Sequence, residues 1–187
     1  MNSIKTDKIL DAKGLACPMP IVKTKKVISE MEAGQILAIL ATDKGSTADL
    51  KAWSERLGHH YLGTREEGVV LKHYVRKSTS EEAVEKTYPH IVSNEELKNM
   101  MNDGSAVIVD VREEAEYAFN HLEGALSIPL GELENRLHDL NKEDEIYVIC
   151  RTGNRSDMAA QKLVENGFVN VKNVVPGMGA WSEQEEK

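Results

Sequence analysis

The stretch most able to do chemistry is residues 150–156, which read Cys-Arg-Thr-Gly-Asn-Arg-Ser. It follows the apolar run 146–149 and precedes a segment whose apolar residues recur at helical spacing. A buried strand followed by a helix would place Cys150 at the carboxyl end of a parallel sheet and beside a helix N-terminus, where unpaired amides bind anions. These amides, together with Arg151 and Arg155, favour the thiolate, which is the nucleophilic form of cysteine.

Cys17 is the second candidate nucleophile, because it opens the sequence Cys-Pro-Met-Pro. Proline is tolerated in the first turn of a helix, and the apolar residues that follow recur on one helical face. The pattern predicts that Cys17 lies at or beside a helix N-cap, where the helix field again favours a thiolate. Two cysteines are too few for a disulfide framework and suit a reducing compartment, and with no signal-peptide core in residues 1–7 we expect a cytoplasmic protein without membrane contact.

Charge is unevenly distributed along the 187 residues, whose net charge is −8. Residues 1–80 hold 13 Lys and Arg against 9 Asp and Glu, whereas residues 81–187 hold 10 against 22. This division indicates a domain boundary near residue 80 and allows the halves to attract each other. We expect no nucleic-acid binding, since the second half is strongly acidic and the first only mildly basic.

Element order predicts two α/β domains, residues 1–77 and 88–187, joined by a polar linker, residues 78–87. The first half reads strand, helix, strand, helix, strand, strand, which builds a two-layer β-α-β-α-β-β sandwich. In the second half strands alternate with helices, which predicts a parallel sheet with helices on both faces. Its expected strands are listed in chain order: 106–111, 125–128, 145–150 and 168–174.

The second half resembles the rhodanese family of sulfurtransferases, whose active-site loop runs from a catalytic cysteine through four residues to an arginine, as Cys150 to Arg155 does here. Residues 109–113, 121–125 and 176–181 match the family's Asp-x-Arg, His-x-x-Gly-Ala and Gly-rich tail ending in Trp. Phosphatases of the same fold need one more residue before the arginine. The resemblance therefore implies a sulfur-sized loop and a rhodanese-like parallel sheet.

The first half resembles the TusA family of sulfur carriers over about residues 5–77. The hallmark of that family is Cys-Pro-x-Pro at the start of the first helix, here residues 17–20, and residues 11–15 and 43–47 also fit its pattern. The chain thus looks like a fusion of a sulfur carrier with a sulfurtransferase.

The two resemblances imply roles for individual residues. Cys150, Cys17, Arg155 and Arg151 are expected to be catalytic. Thr152, Gly153, Asn154 and Ser156 are expected to bind substrate around the sulfur, and Asp110 and Arg112 to brace the site by pairing. No cofactor or metal site is expected; His59 and His60, for example, are adjacent on a strand and point to opposite faces.

The implied reaction is a persulfide relay. Cys150 takes sulfur from thiosulfate or a low-molecular-weight persulfide and passes it to a thiol or protein acceptor, with Cys17 as its partner in the relay. Two other hypotheses stay open at this point. One is a sulfur-carrier and interaction protein with little turnover of its own. The other is a redox sensor that forms a Cys17–Cys150 disulfide.

Overall fold

The structure, a computed structural model, describes residues 4–78, 86–104 and 106–185. The chain divides into two compact units, Met1–Ser80 and Glu81–Lys187. The predicted linker, residues 78–87, falls mostly outside the described residues, so its limits stay a prediction. Within the described ranges, no helix is long and apolar enough to cross a membrane.

The first unit is a sheet covered by helices. Its described elements are β1 (Lys8–Asp11), α1 (Met19–Ser29), β2 (Ile36–Ala41), α2 (Ser46–Arg56), β3 (His60–Glu67) and β4 (Val70–Arg76). The strand order is β1-β2-β4-β3, in which β1 and β2 are parallel and the other neighbours are antiparallel. The predicted β-α-β-α-β-β sandwich is confirmed.

The core of this unit lies between the sheet and both helices. Leu37 and Ile39 are successive residues of one face of β2, and they pack with Ile28 at the α1 side and Leu50 of α2. All four side chains are buried. Burial of this shared apolar face holds α1 and α2 against the sheet.

Two helix boundaries differ from those that the sequence predicts, in which Ser46 or Thr47 caps the second helix and Ala33-Gly34 ends the first. The N-cap of α2 is Gly45, not Ser46 or Thr47, because the Ser46 hydroxyl donates to the Asp43 carbonyl instead of capping a helix amide. The end of α1 is Ser29, several residues before the Gly34 turn that the sequence suggested.

A fully buried histidine, His73, lies on β4 beneath α2. Its Nε2 is 2.9 Å from the Ser46 hydroxyl, and its Nδ1 is 2.9 Å from both the Tyr61 and the Thr64 hydroxyls. Burial lowers the pKa of His73 to about 4, because charge on the ring would be poorly solvated. The neutral ring therefore ties β3, β4 and the start of α2 together.

This histidine predicts acid sensitivity of the first unit. The pKa of His73 is about 4 in the folded state and about 6.5 in the unfolded state, so the unfolded chain binds the proton first as pH falls below 6.5. Between pH 7.5 and 5 we expect a loss of about 2 kcal/mol in the free energy of unfolding. Urea unfolding, followed by Trp53 fluorescence in a Trp181→Phe background, measures it. In His73→Asn most of this loss should disappear, and burial of His59, which also lowers the pKa of that ring, accounts for part of the remainder; an unchanged pH dependence would contradict the assignment.

The second unit is a five-stranded sheet with helices on both faces. Its described elements are β5 (Ile91–Ser93), α3 (Asn94–Asp103), β6 (Val107–Asp110), α4 (Glu114–Phe119), β7 (Leu126–Ser127), a 3₁₀ helix (Leu133–Asp139), β8 (Glu145–Ile149), α5 (Asn154–Glu165), β9 (Asn170–Val175) and α6 (Met178–Glu185). The order is β5-β9-β8-β6-β7, and every neighbouring pair is parallel. The predicted parallel sheet is confirmed, with β8 at its centre.

Alternate residues of β8 enter two separate cores. Ile146 and Val148 pack on the side of α5 and the 3₁₀ helix, and Cys150, the next residue on that side, belongs to the same cluster. Tyr147 and Ile149 pack on the other side with residues of α3 and α6. The strand is buried on both faces, which is why its sequence is a continuous apolar run.

Some local features of this unit match the predictions from the sequence, and others do not. Ser93 caps α3 as predicted, accepting from the Glu96 amide while the Glu96 carboxylate accepts from the Ser93 amide. Strand β5 and helix α6 were not predicted. The sequence of residues 130–140 predicts a helix, and the structure has a 3₁₀ helix over Leu133–Asp139, in which Arg136 leaves helical geometry and donates to the Ser127 carbonyl.

Candidate active site

Cys150 directly follows β8 and is 1% exposed. The Gly153 amide nitrogen is 3.1 Å from its Sγ, and the Ser156 hydroxyl donates to Sγ across 3.3 Å. Gly153 has a φ of 88° and is the N-cap of α5, so the chain turns back on itself and directs this amide at the sulfur. Donors of this kind stabilise a thiolate or a persulfide anion.

Arg155 joins α5 to α4. Its guanidinium makes a two-pronged ion pair with the Glu116 carboxylate, at 2.7 Å and 2.9 Å, and both side chains are buried. The contact fixes the first turn of α5 and hence the loop before it. We therefore interpret Arg155 as a positioning residue, and Glu116 as a partner that sequence reasoning missed.

Asp110 and Arg112 form the pair that the sequence predicted at the end of β6. The Arg112 Nη2 is 2.6 Å from Asp110 Oδ2, and the same nitrogen donates to the Asn120 carbonyl at 2.7 Å. Both charged side chains are buried. The pair links β6 to the end of α4, the helix that carries Glu116, and has a structural role there.

The remaining loop residues differ in exposure. Thr152 is exposed, and Arg151 and Asn154 are half-buried. Arg151 and Thr152 can therefore reach a solute outside the loop, whereas Gly153 and Ser156 contact the sulfur from inside. The assignment of these residues to substrate binding stays a prediction.

The Gly-rich tail lies against the backbone of the cysteine loop. The Met178 amide donates to the Cys150 carbonyl at 2.8 Å, and the Gly179 amide donates to the Arg151 carbonyl at 2.9 Å. Asn94, at the start of α3, exchanges two hydrogen bonds with the Gly177 backbone. A Cβ on Gly177 would lie 2.4 Å from the Cys150 carbonyl oxygen, so only glycine allows this approach.

Two further buried side chains hold the loop, and sequence reasoning missed both. Asn173, on β9, donates to the Gly153 carbonyl at 3.1 Å and so holds the backbone of the loop. The Asp157 carboxylate, in the first turn of α5, accepts from the backbone amides of Thr87 and Tyr88. The sequence signal for both residues was a polar side chain on an element that was otherwise predicted to be buried.

Cys17 is exposed and lies two residues before α1. The pKa of its thiol is raised, first because it donates a hydrogen bond to the Asp49 carboxylate of α2, and further by partial desolvation and the nearby negative charges of Asp49 and Asp43. The expectation that the start of α1 favours a thiolate at Cys17 is therefore wrong. Sequence reasoning could not anticipate it, because Asp49 is on a different helix.

This contact predicts that Asp49→Asn makes Cys17 more reactive. Removing the carboxylate takes away the strongest cause of the raised pKa, so more Cys17 is ionised at pH 7.5. In a Cys150→Ser background, we expect iodoacetamide to alkylate Cys17 about three- to tenfold faster, as measured by mass spectrometry over time. Asp43→Asn should give a smaller increase. A slower reaction in Asp49→Asn would show that the carboxylate acts as a base instead.

Two family models match the chain. The rhodanese-like domain model matches residues 93–184, and the sulfurtransferase TusA model matches residues 8–77. The fold and the cysteine loop therefore define a protein with a TusA domain followed by a rhodanese-like domain. Among the described residues, no group of three or more His, Cys, Asp or Glu side chains could hold a metal ion.

Several known proteins are similar to this chain in sequence or in structure. YrkF of Bacillus subtilis (strain 168), which bears the name of a sulfur carrier protein, is 50% identical over 184 residues, covering 98% of this chain and 100% of its own length. The sulfur carrier protein TusA of Allochromatium vinosum is 40% identical over 72 residues, which is 38% of this chain and 95% of its own. The human single-domain sulfurtransferase TSTD1 has 29% identity and a TM-score of 0.47, covering 51% of this chain and 97% of that one. The chain belongs to the sulfur carrier and sulfurtransferase family, in the form that joins both domains.

Proposed function

We propose that the protein is a sulfurtransferase that carries sulfane sulfur as a persulfide on Cys150 and exchanges it with Cys17. The observation that carries the proposal is the pair of donors, the Gly153 amide and the Ser156 hydroxyl, aimed at a cysteine sulfur at the end of β8. A thiol with such donors is built to hold an anion on sulfur, which is what a persulfide requires.

The loading step is a nucleophilic displacement. The Cys150 thiolate attacks the outer sulfur of thiosulfate, the new S–S bond forms, the S–S bond of thiosulfate breaks, and sulfite leaves with the electron pair of that bond. The Cys150 persulfide anion then lies within reach of the Gly153 amide and the Ser156 hydroxyl. A low-molecular-weight persulfide reacts in the same way, with its thiolate as the leaving group.

The transfer step needs an accessible acceptor, and Cys17 is exposed. After losing its proton, the Cys17 thiolate attacks the outer sulfur of the Cys150 persulfide, which leaves Cys150 as a thiolate and Cys17 as a persulfide. The raised pKa of Cys17 means that this thiol is mostly protonated at neutral pH, so it suits an acceptor or a delivery site better than a primary nucleophile. From Cys17 the sulfur can pass to a thiol or a protein partner.

Donor-by-donor loading tests the proposal. Wild type, Cys150→Ser and Cys17→Ser are treated with thiosulfate or with glutathione persulfide, and the mass of one added sulfur atom is assigned to a cysteine by peptide mass spectrometry. We expect sulfur on both cysteines of the wild type, on Cys150 alone in Cys17→Ser, and on neither in thiosulfate-treated Cys150→Ser. Full loading of Cys17 in Cys150→Ser would contradict the order of the relay.

The exposure of Cys17 also favours a second candidate, a sulfur carrier that delivers persulfide with little turnover of its own. Steady-state transfer from thiosulfate to cyanide separates the two functions. The enzyme turns over many times per chain, whereas a carrier loads once and stops.

A further inference from the structure

Lys86 extends over the cysteine loop from the segment that leads into the second unit. Its Cε and Nζ atoms lie 3.3 Å from the point that a Cβ on Gly153 would occupy. The Gly153 amide nitrogen is 3.1 Å from Cys150 Sγ. By covalent geometry, the Lys86 ammonium therefore lies within about 9 Å of the reactive sulfur.

The segment that carries Lys86 is fixed to the loop's own helix. The amides of Thr87 and Tyr88 both donate to the Asp157 carboxylate of α5, at 3.1 Å and 2.9 Å, and the Gln161 side chain donates to the Thr87 hydroxyl at 3.0 Å. The Tyr88 hydroxyl is anchored to the Val171 carbonyl of β9. Hydrogen bonds to the buried residues Asp157 and Val171 therefore hold the segment that carries Lys86 beside Gly153.

The charge of Lys86 is available to a ligand. In residues 4–78, 86–104 and 106–185 no acidic side chain forms an ion pair with it, and the side chain is exposed. Gly153 leaves room for the Lys86 side chain because it has no side chain of its own. A Cβ on Gly153 would lie 3.3 Å from Lys86 and 3.0 Å from the Val175 methyl group. The Lys86 ammonium and the exposed Thr152 therefore both lie beside Gly153, the residue whose amide faces the sulfur.

We propose that Lys86 is a donor-binding residue that selects anionic sulfur donors by binding the end that departs, such as the sulfonate of thiosulfate. This inference rests on the proposed function of Cys150. When the thiolate attacks the outer sulfur of thiosulfate, two anions approach each other and sulfite leaves with the electron pair of the broken S–S bond. The ammonium offsets the repulsion during approach and stabilises the charge of the departing sulfite. No proton or further reactant is required.

The test compares Lys86→Met with a matched variant, Lys142→Met. Lys142 Nζ lies 3.3 Å from the corresponding point on Gly167, so the same change is made beside a glycine just after α5, whose 12 residues span about 18 Å. All variants carry Cys17→Ser, so only Cys150 reacts. The first readout is the ratio of the Cys150 alkylation rates with iodoacetate, an anion, and with iodoacetamide, which is neutral.

We expect Lys86→Met to lower the iodoacetate-to-iodoacetamide ratio about three- to fivefold and to lower kcat/KM for thiosulfate about three- to tenfold, with both effects shrinking at high salt. Lys86→Arg should retain most of both, and Lys142→Met should change neither. A ratio that is unchanged in Lys86→Met, or equally changed in Lys142→Met, overturns the inference. If the wild type takes no sulfur from thiosulfate, that donor step of the proposed function fails, while the alkylation ratio still decides the role of Lys86.

Discussion

Gly177→Ala is expected to destabilise the second unit by about 2 to 5 kcal/mol and to abolish sulfur loading on Cys150. The added Cβ would lie 2.4 Å from the Cys150 carbonyl oxygen and 3.0 Å from the Arg151 carbonyl oxygen, both of which are backbone atoms that cannot rotate away. The φ of Gly177 is 91°, which is strained for any residue with a Cβ. The loop and the tail must therefore separate, and the Met178 amide loses its contact with Cys150.

Urea unfolding and thiosulfate loading measure the two effects. Gly131→Ala is the matched control, since a Cβ on Gly131 meets nothing within 4 Å. We expect this control to stay within about 0.5 kcal/mol of the wild type. If Gly177→Ala loaded sulfur at the wild-type rate, the tail would not be needed to shape the loop.

Glu116→Gln is expected to cost about 3 to 5 kcal/mol, because it leaves the Arg155 guanidinium buried without its carboxylate. It should also slow sulfur loading, since Arg155 fixes the first turn of α5 and with it the Gly153 amide that faces the sulfur. The double variant Glu116→Gln/Arg155→Met should recover part of the lost stability, because it also removes the buried guanidinium that has lost the Glu116 carboxylate.

The measurements are urea unfolding and the rate of Cys150 persulfide formation from thiosulfate. Glu134→Gln serves as the control, because it removes a carboxylate from an ion pair with Lys162 that is largely solvent-exposed. Such a pair contributes only about 0 to 1 kcal/mol. A Glu116→Gln variant as stable as this control would show that the buried pair does not hold α5.

The elements of the chain could largely be predicted from its sequence because each carries a local signal. The apolar run before Cys150 identified the central strand, and Ser93 before a helical pattern indicated the cap of α3. The errors arose where a distant contact decides the local geometry. Arg136 leaves helical geometry and reaches the Ser127 carbonyl, and the Ser46 hydroxyl contacts His73 of β4 as well as the Asp43 carbonyl instead of capping its own helix.

The two candidate cysteines could be singled out for the same reason, whereas the residues that contact them or their loop could not. Cys150 and Cys17 belong to short contiguous motifs. Glu116, Asn94 and Asn173 lie far from residue 150 in sequence and reach the loop only through the packing of α4, α3 and β9. The electrostatic state of Cys17 depends on the Asp49 carboxylate in the same way.

Alternate side chains of β8 enter two different cores, and this alternation determines which side of the sheet holds the Cys150 thiol. The sulfur shares the side of Ile146 and Val148, which is the side on which α5 begins and offers its amides. Since side chains along a strand have a period of two, a deletion of one residue within 145–149 would turn the thiol towards the opposite layer, away from every donor. The number of residues in β8 before Cys150 therefore decides whether the thiol faces the amides of α5.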